Sequence, residues 1–498
     1  MAGPQPFAFA PSQSWHGHDG NWSSFTVRVG TPEQNFRILP SAATGAIILP
    51  DYRGCQPDAG DPSNCGELRG VFESNNQTLG WQSDLSVTWN PIDSGLSLFQ
   101  TGLQGYLGYA ANASFGDDSV GLMVQNSDGP TLVDQLVGSL KKLPFFVGFL
   151  GLDPMAINFT TYDRPQRSFL VALRDEKKIP SLSYAYNAGA YYRTPKVFGS
   201  LTLGGYDETR FISSNVTFPF DNDDQRPTSL KLQRITGENT LNGSVSILQE
   251  ETYVNLDFTL PYLWLPHETC DRIATYFGLT YDDTSKLYFL DDKTHEELII
   301  RKPVLSFEFG DTATSTIRVG IEIPYTAFDL QASWPLVNTT QRYFPIRRAN
   351  TPSQYTLGRA FMQEAYIIVD YERGNFSLHQ AVFPTSNEHN IVAISSKDSA
   401  ADAKSRALSR ASIAGIVSGV SAFCVLLALS ALWCFRRRNR GQSIPEQQLE
   451  ELGCREESQE RIELPETELK EIYMSNVALE LSGLKEDGPD SKLRSELA

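Results

Sequence analysis

Residues able to do chemistry are sparse and widely spaced in this chain of 498 residues. Its six histidines, His16, His18, His267, His295, His379 and His389, are dispersed, and none sits in an HExxH or similar metal-binding frame. No GxSxG nucleophile frame occurs. GGYD at Gly204–Asp207 lacks the Lys-Ser/Thr and the helix that a phosphate loop needs, so it reads as a turn. The six cysteines contain no CxxC pair of the kind that holds structural zinc. Neither a metal nor a cofactor is expected. Only Cys55 and Cys65 look like partners. They lie in DYRGCQPDAGDPSNCGE, a loop able to bring two thiols together in an oxidising compartment, the alternative being two free thiols.

A second chemistry is modification. Asn-x-Ser/Thr sequons, meaningful only in a lumenal segment, occur at Asn21, Asn76, Asn112, Asn158, Asn215, Asn242, Asn338 and Asn375. All precede the run from Ala411 to Phe435, ASIAGIVSGVSAFCVLLALSALWCF, 25 residues without a charge. As a helix this run is roughly 37 Å long, enough to cross a hydrocarbon core of about 30 Å. Arg436, Arg437, Arg438 and Arg440 follow at once and mark the cytoplasmic side. The expectation is a single-pass type I membrane protein with its ectodomain outside, in the plasma membrane or alternatively the vacuolar membrane. The opening MAGPQPFAFAPSQSW carries neither a basic n-region nor an apolar h-region, so a signal peptide is expected upstream of Met1.

The elements that must position these groups are mostly strands. SSFTVRVG, GSLTLGGYD, NVTFPF, VLSFEFG, TIRVGIEIP and AYIIVDYERGNFSLHQ alternate in period two or read as buried strands, cut by turn residues. Helical spacing appears in TLVDQLVGSLKKL, DRPQRSFLVALRDEKK and HETCDRIATYFGL, while THEELII is ambiguous. The pattern is all-β with few short helices. A hydrophobic share of 41% is enough for a real core. Lys+Arg total 42 against Asp+Glu 59, and a net charge of −17 repels phosphate backbones, which disfavours nucleic-acid partners. Residues 385–410 read as a flexible stalk and 436–498 as an acidic cytoplasmic tail. In that tail IELPETELKEIYMSNVALEL could form a short amphipathic helix on a partner.

Several segments together resemble the pepsin-like aspartic peptidases, most closely the membrane-anchored fungal type. They are SQSWHGHDGNWSSFTVRVGTPEQNFRIL, FFVGFLGLDP, IPSLSYAYNAGAYY, GSLTLGGYDETRF and YTLGRAFMQEAYIIVDYERGNFSLHQAVF. The resemblance implies a bilobal fold with an N-terminal lobe over 14–200 and a C-terminal lobe over 201–384, followed by the stalk, a transmembrane helix over 411–435 and the tail. It also implies two Asp carboxylates, one per lobe, sharing a proton and activating a water. In ILPSAATGAIILP, Ser41 stands at the first Asp position, and no Asp or Glu occurs between Glu33 and Asp51. In VNLDFTLPYLWLP, Asp257 stands at the second, with Phe258 and Thr259 where the family has Thr/Ser and Gly. Half of the dyad is thus expected to be missing, with Ala42 and Phe258 supplying no bracing hydroxyl.

The same resemblance places the substrate-gripping flap in SLFQTGLQGYLGYAANASFGDDSVGL, with Tyr106 and Tyr109 as its tyrosines but without the family's Tyr-Gly-Thr-Gly frame. It puts a loop disulfide at Cys55–Cys65 and leaves Cys270 free and buried. The function expected is a catalytically inactive surface glycoprotein whose inter-lobe cleft binds a peptide or protein. The alternative is an aspartic-type endopeptidase active at acidic pH.

Overall fold

The alternating runs pair as strands in a computed structural model that describes residues 3–72, 79–92, 97–98, 105–109, 112–140, 146–157, 165–310, 318–384, 388–397, 429–430 and 433. Strand β1 (Trp22–Val29), buried along its whole length, turns back through Gly30 at φ 87° onto β2 (Gln34–Ser41). A short loop leads to β3 (Ile47–Pro50). β4 (Asn112–Leu122) and β5 (Thr131–Leu140) form a long antiparallel hairpin, and β5 lies parallel to β3. β6 (Phe149–Gly151) slots between β2 and β3, parallel to the first and antiparallel to the second.

Of the segment TLVDQLVGSLKKL, expected to be helical, the described residues 131–140 are instead β5. Its second half is buried on both faces between β3 and β4, so it shows no alternation, and a doubly buried strand and a helix then carry the same kind of apolar run. Helix α1 (Phe169–Asp175) forms where expected. Ser168 caps it by accepting from the Val171 amide, and Phe169, Leu170, Ala172 and Leu173 form its buried face.

β7 (Ser183–Ala190) and β8 (Val197–Leu203) pair antiparallel in a central sheet. The second lobe follows with β9 (Ser229–Thr240), β10 (Thr252–Leu256) and β11 (Leu263–Leu265). Helix α2 (His267–Phe277) buries Cys270, Ile273 and Phe277 and stops at Gly278, φ 67°. Cys270 is free and buried. The ambiguous THEELII lies in helix α3 (Asp292–Arg301), where Asp291 accepts from the Thr294 amide as N-cap. β12 (Val304–Gly310) and β13 (Arg318–Pro324) pair with each other, and β12 pairs with β9. β14 (Ile346–Arg348) lies parallel to β11, and β15 (Thr356–Leu357) slots between β10 and β11. Finally β16 (Ala365–Asp370) and β17 (Asn375–Ala381) return to the central sheet, where β16 pairs with β7.

The two lobes repeat one motif. β2, its loop and β3 enclose β6 as β10, its loop and β11 enclose β15. Leu39 and Ile47 face Phe149 and Leu150; Asn255 and Leu263 face Thr356 and Leu357. A glycine requirement is shared as well, at Gly151 in β6 and at Gly358 directly after β15. A Cβ on Gly151 would collide with the carbonyls of Thr44 and Ala46, and one on Gly358 with those of Leu260 and Tyr262.

Residues 388–397, read from the sequence as part of a stalk, pack onto the fold. Ile391–Ala393 pairs antiparallel with Gly205–Asp207, and Asp207 accepts from His389 and the Asn390 amide. The apolar run 411–435 lies outside the described residues apart from Leu429, Ser430 and Trp433, which are helical, and the tail 436–498 lies wholly outside them. Among the described residues no helix is long and apolar enough to cross a membrane.

Candidate functional site

The repeated motif fixes which residues correspond. Ser41 lies two residues beyond Leu39 and Asp257 two beyond Asn255, so the serine and the aspartate occupy the same place in their loops. Both loops then make the same tight turn. Asp257 Oδ1 accepts from the Thr259 amide at 3.0 Å, and Ser41 Oγ accepts from the Ala43 amide at 3.2 Å. The serine thus keeps the hydrogen bond that shapes the turn and drops the charge.

The loops meet at their hydroxyls: Ser41 Oγ and Thr259 Oγ1 are 2.8 Å apart, both fully buried. This bridge joins the lobes at the point where the sequence lacks the usual bracing groups. Phe258 braces its loop by packing instead. Its ring sits 4.5 Å from that of Tyr186 and 6.1 Å, edge-on, from that of Tyr184, both on β7 of the central sheet. Ala42 is half-buried and contributes no hydroxyl.

A second carboxyl lies nearby. Asp153 follows β6, its amide donates to the Thr44 carbonyl at 3.0 Å, and its Oδ1 accepts from the Met155 amide at 3.0 Å. Burial pushes its pKa up to about 6, the Met155 bond pulls the other way, and the charge of Asp257 adds to the rise. Sequence reasoning missed this residue. Its only signal was an acid embedded in the apolar FFVGFLGLDP.

Of the segment expected to hold the flap, residues 105–109 lie over Asp257. The Tyr106 hydroxyl donates to Asp257 Oδ2 at 3.5 Å, and the Tyr106 carbonyl accepts from Gln354 of the second lobe at 2.8 Å. Burial, and after it the charge of Asp257, keeps the Tyr106 phenol protonated far above neutral pH. Tyr109 sets its ring edge-on against Trp264 of β11, 6.4 Å between centroids. The structure therefore gathers Ser41, Asp257, Phe258, Thr259 and Tyr106 at one place, with Tyr109 on Trp264 beside them.

The other expected residues lie elsewhere. Cys55 and Cys65 form a disulfide. Asn215, Asn242 and Asn338 are exposed, and Asn21 and Asn375 are half-buried. Asn76, Asn158 and the side chain of Asn112 lie outside the described residues. Chemically, the two equivalent loop positions offer one carboxylate, Asp257, and one hydroxyl, Ser41, where a shared-proton pair would need two carboxylates.

Comparison with known proteins agrees with this architecture. The eukaryotic aspartyl protease family model matches residues 118–381, a stretch that contains the Asp257 loop and begins after the Ser41 loop. The chain is 22% identical over 378 residues to barrierpepsin of Saccharomyces cerevisiae, covering 72% of this chain and 59% of that protein. It therefore spans less than two thirds of barrierpepsin. It is 20% identical over 377 residues to candidapepsin-3 of Candida albicans, covering 74% of this chain and 81% of that one. Aspartic proteinase yapsin-3 of S. cerevisiae is 22% identical over 445 residues, 84% of this chain and 77% of that one. The chain belongs to the pepsin-like aspartic peptidase family and has its bilobal, mostly β fold.

Proposed function

We propose that this protein is a membrane-anchored surface glycoprotein whose pepsin-like cleft binds a peptide or protein without cleaving it. The observation that carries this reading is Ser41 in the place symmetric to Asp257, hydrogen-bonded to Thr259 at 2.8 Å. Peptide hydrolysis by this fold needs one carboxylate to take a proton from water and another to give one to the substrate. A serine hydroxyl does neither at acidic pH, and Ser41 has a threonine, not a base, as its partner. Anchoring rests on the uncharged run 411–435 and the arginines after it, and glycosylation on the sequons, of which Asn215, Asn242 and Asn338 are exposed.

A second reading, an acid endopeptidase, is favoured by Asp153, whose carboxyl feels the charge of Asp257. Its Oδ1 is committed to the Met155 amide and its own amide to the Ser41 loop, which is why the binding reading comes first. The test is turnover of an unfolded protein substrate by the detergent-solubilised full chain across pH 3 to 6. Asp257→Asn, Asp153→Asn and a pepstatin-type inhibitor serve as comparisons. Wild-type turnover equal to that of Asp257→Asn is expected. Turnover abolished by Asp257→Asn and by the inhibitor would overturn the binding reading.

A further inference from the structure

Beside the Asp257 loop, a buried cation, Arg347, has no carboxylate partner among the described residues. β14 runs parallel to β11 with Arg347 opposite Trp264, which brings both side chains next to the loop that carries Asp257 and under the flap. Arg347 is 9% exposed. Its guanidinium lies 4.1 Å from the ring centroid of Tyr262 and 5.8 Å from that of Trp264, and Nη1 donates to the Ser285 carbonyl at 3.4 Å. Nearby carboxylates are engaged elsewhere: Asp271 pairs with Arg348 at 2.6 Å, and Asp19 faces Arg359 at 3.8 Å. Among the described residues Arg347 has no carboxylate partner. Arg347 Nε and Trp264 Nε1 are both buried with no hydrogen-bond partner.

We propose that this place is a subsite for an acidic side chain, formed by Arg347 and Trp264 and covered in the present conformation by Tyr109. The proposal rests on the reading of the cleft as a peptide site and names the class of peptide it takes, one carrying Asp or Glu. Aromatic faces offset part of the cost of burying a guanidinium, but they accept no hydrogen bond from Nε. A carboxylate supplies the opposite charge and two acceptor oxygens, enough for both orphan donors at once. The rest of the molecule works against such a ligand, since its net charge is −17. Acidic peptides are therefore held by this local cation rather than gathered by a general field, and that makes the preference positional.

Entry requires the flap segment 105–109 to lift, because Tyr109 now sets its ring on Trp264. The same movement uncovers Asp257 from Tyr106.

The experiment uses the full chain in detergent and fluorescence anisotropy with blocked peptides. Each Glu peptide is paired with a twin carrying Gln at the same position, and the position is scanned. At one position the Glu peptide is expected to bind about tenfold tighter than its twin, roughly one charge-assisted hydrogen-bond pair. Arg347→Gln should bring that ratio to about one, and Arg348→Gln should leave the ratio and both Kd values unchanged. Should Arg347→Gln fail to fold, Trp264→Phe keeps an aromatic ring there, removes the Nε1 donor together with part of the indole, and should lower the ratio severalfold. Equal affinities at every scanned position, or a ratio that survives these substitutions, would overturn the subsite while leaving the peptide cleft standing. Binding of neither peptide would overturn both.

Discussion

The loops Ile38–Pro50 and Val254–Pro266 have the same backbone path and different chemistry. Each is closed by an enclosed strand whose glycine lies against the loop carbonyls, and each makes its turn with a side-chain oxygen accepting an amide two residues on. One oxygen belongs to a carboxylate and the other to a hydroxyl. The difference teaches that the architecture of an aspartic peptidase centre does not depend on its charge. What shapes the loop is a short-range hydrogen bond that Ser and Asp can both make. A lineage could thus lose the acid at the first position and keep the fold, with the Ser41–Thr259 bridge replacing a charge interaction between the lobes by a neutral one.

The comparison breaks most visibly if the lost charge is put back. Ser41→Asp is expected to raise acid proteolysis at least about 100-fold over wild type, the scale of one positioned acid or base. That activity should vanish when Asp257→Asn is added. Turnover is read on an unfolded protein substrate at pH 3 to 6. A folded Ser41→Asp protein without turnover would mean that Ala43, Thr259 and the flap have departed from catalytic geometry together with the charge.

The backbone half of the comparison is tested at the enclosed strands. Gly151→Ala and Gly358→Ala each force a Cβ into two loop carbonyls. Each should cost about 3 kcal/mol, the range of steric insults that a close-packed interior cannot relax. Because the positions are equivalent, the two losses should agree within about 1 kcal/mol in denaturant unfolding. A large loss in one lobe only would show that the repeat is topological and not energetic.

How far the sequence reveals this molecule follows from how local each feature is. β12, β13 and β17 are legible because burial alternates along them, and β1 and β16, buried almost throughout, are legible from their β-branched and aromatic residues. β5 is not, because its second half is buried on both sides and its leucines and valines also fall at helical spacing. The correspondence of Ser41 with Asp257 is legible because each lies the same distance before a proline, Pro50 or Pro266, at equal loop length. Phe258 reads from sequence as a missing hydroxyl; its packing on Tyr184 and Tyr186 depends on strands far away along the chain. The same holds for Asp153, Gln354 and Arg347. Each is an ordinary residue in its own segment and becomes significant only against groups that the fold brings from elsewhere.

The smallest expected effect concerns how the one remaining charge is felt across the two loops. Asp153 hangs on the Ser41 loop through the Thr44 carbonyl, yet its pKa of about 6 reflects first its burial and then the charge of Asp257 in the other loop. A carboxyl raised from an ordinary 3.8 favours folding when protonated. Its contribution is therefore complete below pH 3.8 and lost as the pH climbs through 6. With its partial exposure discounted, the loss is about 1–2 kcal/mol over that interval, and Asp153→Asn should remove it from the pH dependence of unfolding. Asp257→Asn should shift the same transition to lower pH without abolishing it, since burial remains. An unchanged transition in Asp257→Asn would mean that the two loops are electrostatically separate, and the second carboxyl would then have no claim on the chemistry of the first.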